Sequence, residues 1–356
     1  MGYDLLRVSQ HVIEQDDIEA VSKQMASGKI ARGSAVRQFE EALAEMVGAK
    51  YAVAVSSGTA ALHLAMLVGG VCTGDTAAIP AITFIAIASA AMHCGAEVKI
   101  CDFGESTGDA SIIVPTHYAG HAVDISRTST DLIEDACHAL GASYSDESSV
   151  GSCPNSLMTC FSFHPTKLIT TGEGGAITTN HKYFYQRLRQ LRDNGRSWPK
   201  SELPGRYKCV SAGLNYWMSD INAALGLSQL NKWHRFANTR RALARRYWEY
   251  LPEDVVAVLK KENEYYDVPH IFPVRIDFKA IGKTRNQVRF ALLAKGIETS
   301  IHYYPLHLNP IIGGKRGDCP KAERYYDQTL TLPLHAAMTE DDVKRVCTAL
   351  KEIING

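Results

Sequence analysis

Between residues 50 and 180, short apolar runs alternate with turn signals and helical segments. Tyr51-Ala52-Val53-Ala54-Val55 reads as a buried strand, and Ser56-Ser57-Gly58-Thr59 opens a helix over residues 60–66. Further strands are predicted at 77–79, 97–101, 112–115, 132–134, 159–163 and 176–179. Strand followed by helix, repeated, predicts an α/β fold with a mostly parallel central sheet and helices on both faces. Two connections are unusually short. About ten residues lie between the strands ending near Asp102 and starting near Ile112, and residues 122–131 offer little more before Leu132. A parallel crossover normally takes a dozen residues or more, usually with a helix, so a pair here is joined by a bare loop or runs antiparallel.

Residues 181–193 are charged and helical, and 219–250 read as one long, largely uninterrupted helical stretch leading to a second domain. That domain reads as strand 270–277, helix 287–295, strand 298–303 and two more helices. The last helix has Thr339 as N-cap with Asp342 three residues on, close to a capping box. Its apolar positions Val343, Val346, Cys347, Leu350, Ile353 and Ile354 keep helical spacing and form a core stripe. The expected division is a large domain over residues 13–235 and a small C-terminal α/β domain over 236–356, with residues 1–12 packing near the latter.

The 356 residues, 46% hydrophobic, suffice for a large core and two domains. Lysine plus arginine balance aspartate plus glutamate at 38 each, so no overall field favours nucleic acid or an anionic membrane. Recognition must come from a local site. Nine scattered cysteines, an odd number without a CxxC pair, fit free thiols in a reducing compartment. The first residues lack the regions of a signal peptide, and no run approaches the roughly 20 apolar residues of a membrane span. The expectation is a soluble cytoplasmic protein.

Candidate chemistry gathers at the turns. Lys167 ends the run Cys160-Phe161-Ser162-Phe163-His164-Pro165-Thr166-Lys167 and precedes Thr170-Thr171-Gly172-Glu173-Gly174-Gly175. Between an apolar strand and a glycine-rich turn, a lysine is placed to be desolvated into an amine that attacks carbonyls. Ser57-Gly58-Thr59 lies at a strand-to-helix turn, where free N–H groups and the helix dipole favour phosphate, although the same residues serve ordinary helix capping. Glu134-Asp135-Ala136-Cys137-His138 follows a strand, at the end where α/β sheets place ligands. Asp135 there suits a protonated ring nitrogen and His138 a phenolic oxygen; a helix cap and a satisfied histidine are the alternative. Phe84 fits either a ring-stacking face or the core. His117 and His121 lack a third ligand at suitable spacing, so no metal site is expected. The stretch from Thr171 to Gly175 matches neither a dinucleotide fingerprint nor a P-loop.

Together these stretches resemble the DegT/StrS-type nucleotide-sugar aminotransferases, a branch of the fold-type I pyridoxal-phosphate enzymes. The resemblance covers nearly the whole chain: Phe39-Glu40-Glu41, Ser56 to Leu62, Glu134 to Ala142, Phe161 to Gly175, Gly213-Leu214-Asn215-Tyr216 with Met218-Ser219-Asp220-Ile221, and His302-Tyr303-Tyr304-Pro305-Leu306-His307. It implies pyridoxal 5'-phosphate as cofactor, held covalently by Lys167, which later carries the proton. Asp135 would be the pyridinium partner, His138 the neighbour of the phenolic oxygen and Phe84 the stacking aromatic. Gly58, Thr59 and Ser162 would hold the phosphate. Asn215 would reach the phosphate in a neighbouring subunit, which implies a homodimer with shared sites. His164, Glu173, His302 and His307 are the expected substrate-side residues. Trp217 departs from the arginine usual at its position, and the two short connections read as deletions of helices.

The function implied is amino transfer from L-glutamate to C4 of a nucleotide-linked 4-keto-6-deoxy sugar. The runs around Lys167, His138 and His302 are most similar to the pseudaminic-acid branch, whose product is UDP-4-amino-4,6-dideoxy-N-acetyl-β-L-altrosamine. The alternatives are another UDP- or dTDP-4-ketosugar, a non-catalytic regulatory relative, or a related sugar dehydratase, which Lys167 disfavours because those enzymes carry histidine there.

Overall fold

The computed structural model describes residues 5–125, 130–197 and 207–356. Among the described residues, seven strands build the main sheet: β1 (Tyr51–Val55), β2 (Thr76–Pro80), β3 (Glu97–Cys101), β4 (Ile112–Ile113), β5 (Ile133–Asp135), β6 (Met158–Ser162) and β7 (Gly175–Thr179). β3-β2-β4 and β5-β6-β7-β1 are each continuous, and parallel bridges Ile113–Leu132 and Thr116–Asp135 join them. β7 pairs antiparallel with both β6 and β1, while the other ladders are parallel, so β7 alone runs against the rest. A short antiparallel pair, β8 (Arg196–Ser197) with β9 (Lys208–Cys209), stands apart.

Both short connections join parallel strands. Residues 102–111 form a loop without a helix, and residues 114–132 contain, among the described residues, only the 3-10 turn Tyr118–Gly120. The first loop is not left hanging. Asp102 accepts from the backbone N–H groups of Lys321 (2.9 Å) and Ala322 (2.8 Å), and the Lys321 ammonium donates to the Phe103 carbonyl (2.8 Å). The loop thereby caps a C-terminal helix and uses the donors that a helix N-terminus leaves unpaired.

The helices of the first half are α1 (Gln15–Ala26), α2 (Ser34–Val47), α3 (Gly58–Val68), α4 (Ala86–His93) and α5 (Lys182–Arg192). α3 is apolar nearly all round because it is buried between the sheet and its neighbours; Leu62, Leu64 and Met66 are almost wholly enclosed. Burying each such side chain contributes about 1.5–3 kcal/mol. α2 starts at Gly33, which has no capping side chain. Its free N–H groups are met instead by buried Asp220, which accepts from Gly33, Ala35 (3.0 Å) and Val36 (3.2 Å).

The stretch read as one helix over 219–250 is two: α6 (Asp220–Leu230) and α7 (Trp233–Tyr250). The break falls at Asn231-Lys232, where the Lys232 ammonium pairs with Asp16 (2.7 Å), Asp17 (2.8 Å) and Glu14 (3.4 Å) around the start of α1. Beyond it lies a three-stranded antiparallel sheet of β10 (Val255–Ala257), β11 (Phe272–Ile276) and β12 (Thr329–Leu332). The helices α8 (Arg285–Ala294), α9 (Pro320–Gln328) and α10 (Glu340–Asn355) complete the chain. Residues 298–303, expected as a strand, make only the single bridge Ser300–Thr331, because the chain turns away at His302. β12 was not expected. Thr339 and Asp342 form a full capping box on α10, and its apolar stripe is buried with Phe272, Val274 and Leu330. Leu6 packs in the same cluster and bridges Ile297.

Candidate active site

The C-terminal ends of β1, β5 and β6 open into one cleft of about 320 Å³, within the usual range of small-molecule sites. Gly58, Thr59, Phe84, Asp135, His138, Ser162, His164, Lys167, Glu173 and His302 all line it. Five segments distant in sequence are thus brought to one place.

Phosphate chemistry fits the turn after β1. Ser57 caps α3, its hydroxyl accepting from Ala60 N–H (3.1 Å), so the N–H groups ahead of Ala60 have no partner within the helix. A β-carbon on Gly58 would lie 2.8 Å from Ser162 Cβ and 3.1 Å from its Oγ. Only glycine leaves that gap, where a phosphate could meet the helix N-terminus and the hydroxyls of Thr59 and Ser162.

Asp135 ends β5 and is buried. Its backbone is clamped by the neighbouring segment, its N–H donating to Pro115 O (2.9 Å) and its carbonyl accepting from His117 N–H (3.0 Å). The Cys137 N–H donates to Asp135 Oδ1 (3.0 Å) and fixes the carboxylate. Phe84 is 54% exposed, with its ring 6.0 Å from that of Tyr303, so a broad aromatic face is open to the cleft.

Lys167 follows β6 and its backbone N–H donates to His164 O (2.8 Å). Burial lowers the pKa of its ammonium, against the opposing pull of Cys137 and Asp135. The proton on Lys167 is thereby held less tightly than on an exposed lysine. Burial pushes the Cys137 thiol well up, so it stays a neutral wall rather than a nucleophile. His302 is brought down to about 4 by burial and by Lys167, which keeps it neutral at physiological pH. Its Nδ1 meets Thr331 Oγ1 (2.9 Å). His164 is exposed at the rim, with Nδ1 on Thr166 Oγ1 (3.0 Å).

Two expected residues are elsewhere. His307 sits in a 3-10 turn, buried, with Nε2 on Glu323 Oε1 (2.9 Å), so it braces the segment before α9 instead of facing the cleft. Asn215 is exposed outside the cleft, on a segment laid beside the phosphate turn by the Val55–Trp217 bridge and the Ser56 N–H···Tyr216 O bond (2.9 Å). The unusual Trp217 has its ring centroid 3.9 Å from the Arg192 guanidinium and 5.4 Å from that of Arg32. A larger hollow of about 480 Å³ opens there, but it is remote from the lysine, and its buried Arg192 is engaged by Glu40 and the Ala54 carbonyl. Tyr303 also lines the cleft; in the sequence its one mark is its place in the run from His302 to His307.

A desolvated lysine, a buried carboxylate, a phosphate turn and an open aromatic face on a mostly parallel α/β sheet define a pyridoxal-phosphate enzyme. The chain belongs to the DegT/DnrJ/EryC1/StrS aminotransferase family, whose model matches residues 11–351. It is 32% identical, over an alignment of 384 residues, to the spore coat polysaccharide biosynthesis protein SpsC of Bacillus subtilis, with 99% of this chain and 97% of that protein covered. Its fold is similar to PseC of Helicobacter pylori, an aminotransferase involved in the biosynthesis of pseudoaminic acid (TM-score 0.89, 24% identity, covering 99% and 100% of the chains). It is also similar to the PLP-form of Spr1654, a putative sugar aminotransferase from Streptococcus pneumoniae (TM-score 0.88, 25% identity, 99% of each chain). The protein is a pyridoxal-phosphate-dependent aminotransferase. No helix among its described residues is long and apolar enough to cross a membrane.

Proposed function

We propose that the protein moves an amino group from L-glutamate to C4 of a nucleotide-linked 4-keto-6-deoxy sugar, forming UDP-4-amino-4,6-dideoxy-N-acetyl-β-L-altrosamine. The observation that carries the reading is Lys167 in one cleft with Asp135 and the Gly58 turn. Bound there, the cofactor supplies an electron sink for the carbon that loses or gains the amino group. Lys167 would hold it and move the proton at that carbon. Asp135 would keep the ring nitrogen protonated, Phe84 would cover the ring face, and Gly58, Thr59 and Ser162 would hold the phosphate. His164, Glu173 and neutral His302 offer hydrogen bonds on the sugar side. The L-altro product rests on the likeness of the runs around Lys167, His138 and His302 to the pseudaminic-acid branch.

Lys167 weighs against a dehydratase, which lacks this amine. Two subunits would share the sites, exposed Asn215 reaching the phosphate of the partner's cofactor. The test offers glutamate together with either the L-arabino or the D-xylo 4-keto epimer of the UDP sugar and follows 2-oxoglutarate and amino-sugar formation. Preference for the L-arabino epimer is expected. Preference for the D-xylo epimer or a dTDP sugar would move the substrate to a sister branch, and no transfer to any ketosugar would favour a regulatory relative.

A further inference from the structure

We infer that Tyr303, not His138, is the donor facing the phenolic oxygen of the cofactor, and that His138 is the positioning residue that aims it. This rests on the proposed seat of the cofactor between Asp135 and Lys167. The argument is one of proton count. His138 Nδ1 lies 3.3 Å from the backbone N–H of Ala119, a group that only donates, so Nδ1 is an acceptor. A neutral imidazole then carries its hydrogen on Nε2. That nitrogen lies 2.9 Å from Tyr303 Oη, so the bond runs from imidazole to phenol. The reverse direction would leave the ring with no hydrogen at all. Tyr303 is therefore the acceptor, and its own O–H hydrogen has no partner among the described residues. The side chain lines the cleft, where that hydrogen is available.

The surroundings hold this arrangement. Burial, Lys167 and His302 keep His138 well below the usual histidine range, and hence neutral. The His270 ring lies against it, tilted by 44° with centroids 4.3 Å apart, and is backed by Arg240, whose buried guanidinium donates to the His270 and Leu334 carbonyls (2.8 and 2.9 Å). Burial, helped by Asp135, raises the Tyr303 hydroxyl, so it remains a donor. Its pivot is fixed because the Tyr118 hydroxyl donates to the His302 carbonyl (2.7 Å), while Phe84 packs on its ring. His138 follows Asp135 by three residues on the turn that grips the ring nitrogen. The phenolic oxygen of pyridoxal phosphate sits on the ring carbon next to the one bearing the aldehyde carbon that Lys167 would hold. A hydroxyl hung from His138 is thus offered between those two anchors, whereas His138 itself has both nitrogens engaged.

A donor on that oxygen stabilises its anion and lowers the pH at which the lysine-bound cofactor loses its proton. Tyr303→Phe keeps the packing and removes only the hydroxyl. In the holoenzyme without substrate, the pH midpoint of the cofactor's visible band should rise by about one unit, a tenfold change in proton affinity. His138→Leu should move it less in the same direction, and the double variant no further than Tyr303→Phe alone. The inference is overturned if His138→Leu gives the full shift and Tyr303→Phe little, which would make the histidine the donor. An unchanged midpoint with a raised KM for the sugar would overturn it as well, by making Tyr303 a sugar contact. Borohydride trapping in Tyr303→Phe checks the footing separately. Label on Lys167 supports the cofactor seat whatever the midpoint does, and label on another lysine refutes the seat itself.

Discussion

Glu134→Gln should destabilise the fold by about 2 kcal/mol although it changes one atom. Glu134 neighbours Asp135 on β5 and points to the opposite side of the strand, into the interior, where it is fully buried. Four donors saturate it: Ser156 Oγ and Thr159 Oγ1 (2.8 Å) on one oxygen, His117 Nε2 (2.7 Å) and Tyr144 Oη on the other. Burial alone would raise the carboxyl; His117 and the hydroxyls more than offset it, and the pKa lies below its ordinary 4.5. His117 Nδ1 accepts from Val123 N–H (3.1 Å), so its Nε2 can only donate, and a glutamine amide nitrogen cannot face it. The amide must turn toward Ser156 and Thr159, whose hydroxyls can rotate to accept. All four bonds survive but lose their charge assistance, about 1 kcal/mol each, against a smaller desolvation cost worth roughly half of that total. Glu134→Leu strands four donors at about 1–3 kcal/mol apiece and should cost roughly 4 kcal/mol or more. Urea midpoints at pH 7 measure both. Because the folded pKa is depressed, the advantage of glutamate over glutamine is complete above the unfolded value and fades as pH falls through the folded one. A glutamine variant within about 0.5 kcal/mol of the parent, equal costs for the two variants, or a gap independent of pH would refute the four-donor account.

Lys167→Ala should fold, fail to retain cofactor after borohydride and peptide mapping, and lose transfer. Asp135→Asn should bind cofactor yet turn over at least roughly a hundredfold more slowly, since an amide cannot hold the pyridinium proton by charge; near-normal kcat would assign that part to another group. Mixed Lys167→Ala and Asn215→Ala subunits should regain some activity, because one site of each heterodimer carries neither lesion; no recovery despite proven exchange would argue for sites built from single chains. Asp102→Ala should cost about 1 kcal/mol in urea unfolding, the usual worth of a helix cap.

The parts of the site that were legible in the sequence are those where local chemistry demands a particular residue. Gly58 opens a helix against Ser162, Asp135 ends a buried strand, and Lys167 stands between a strand and a glycine turn. Tyr303 was not legible, because its meaning depends on His138, 165 residues away, and on which way one proton points. The break between α6 and α7 contains neither glycine nor proline. It is set by carboxylates from α1 that draw Lys232 aside, a tertiary cause with no local mark. His302 and His307 looked equivalent in one motif, yet the turn at Leu306 sends the second to Glu323. β12 spans only Thr329–Leu332 directly after a helix, too short a run for alternation to register against helical neighbours.

The helix-free loop after β3 ties two histories together. In a chain with a full crossover helix, the sheet and the C-terminal layer could drift apart by independent substitution. Here the loop's aspartate accepts from the Lys321 and Ala322 N–H groups in the first turn of α9, so an insertion that placed a helix between β3 and β4 would uncap its distant neighbour. Lengthening this connection would therefore carry a cost in a different layer of the molecule unless α9 acquired a cap of its own.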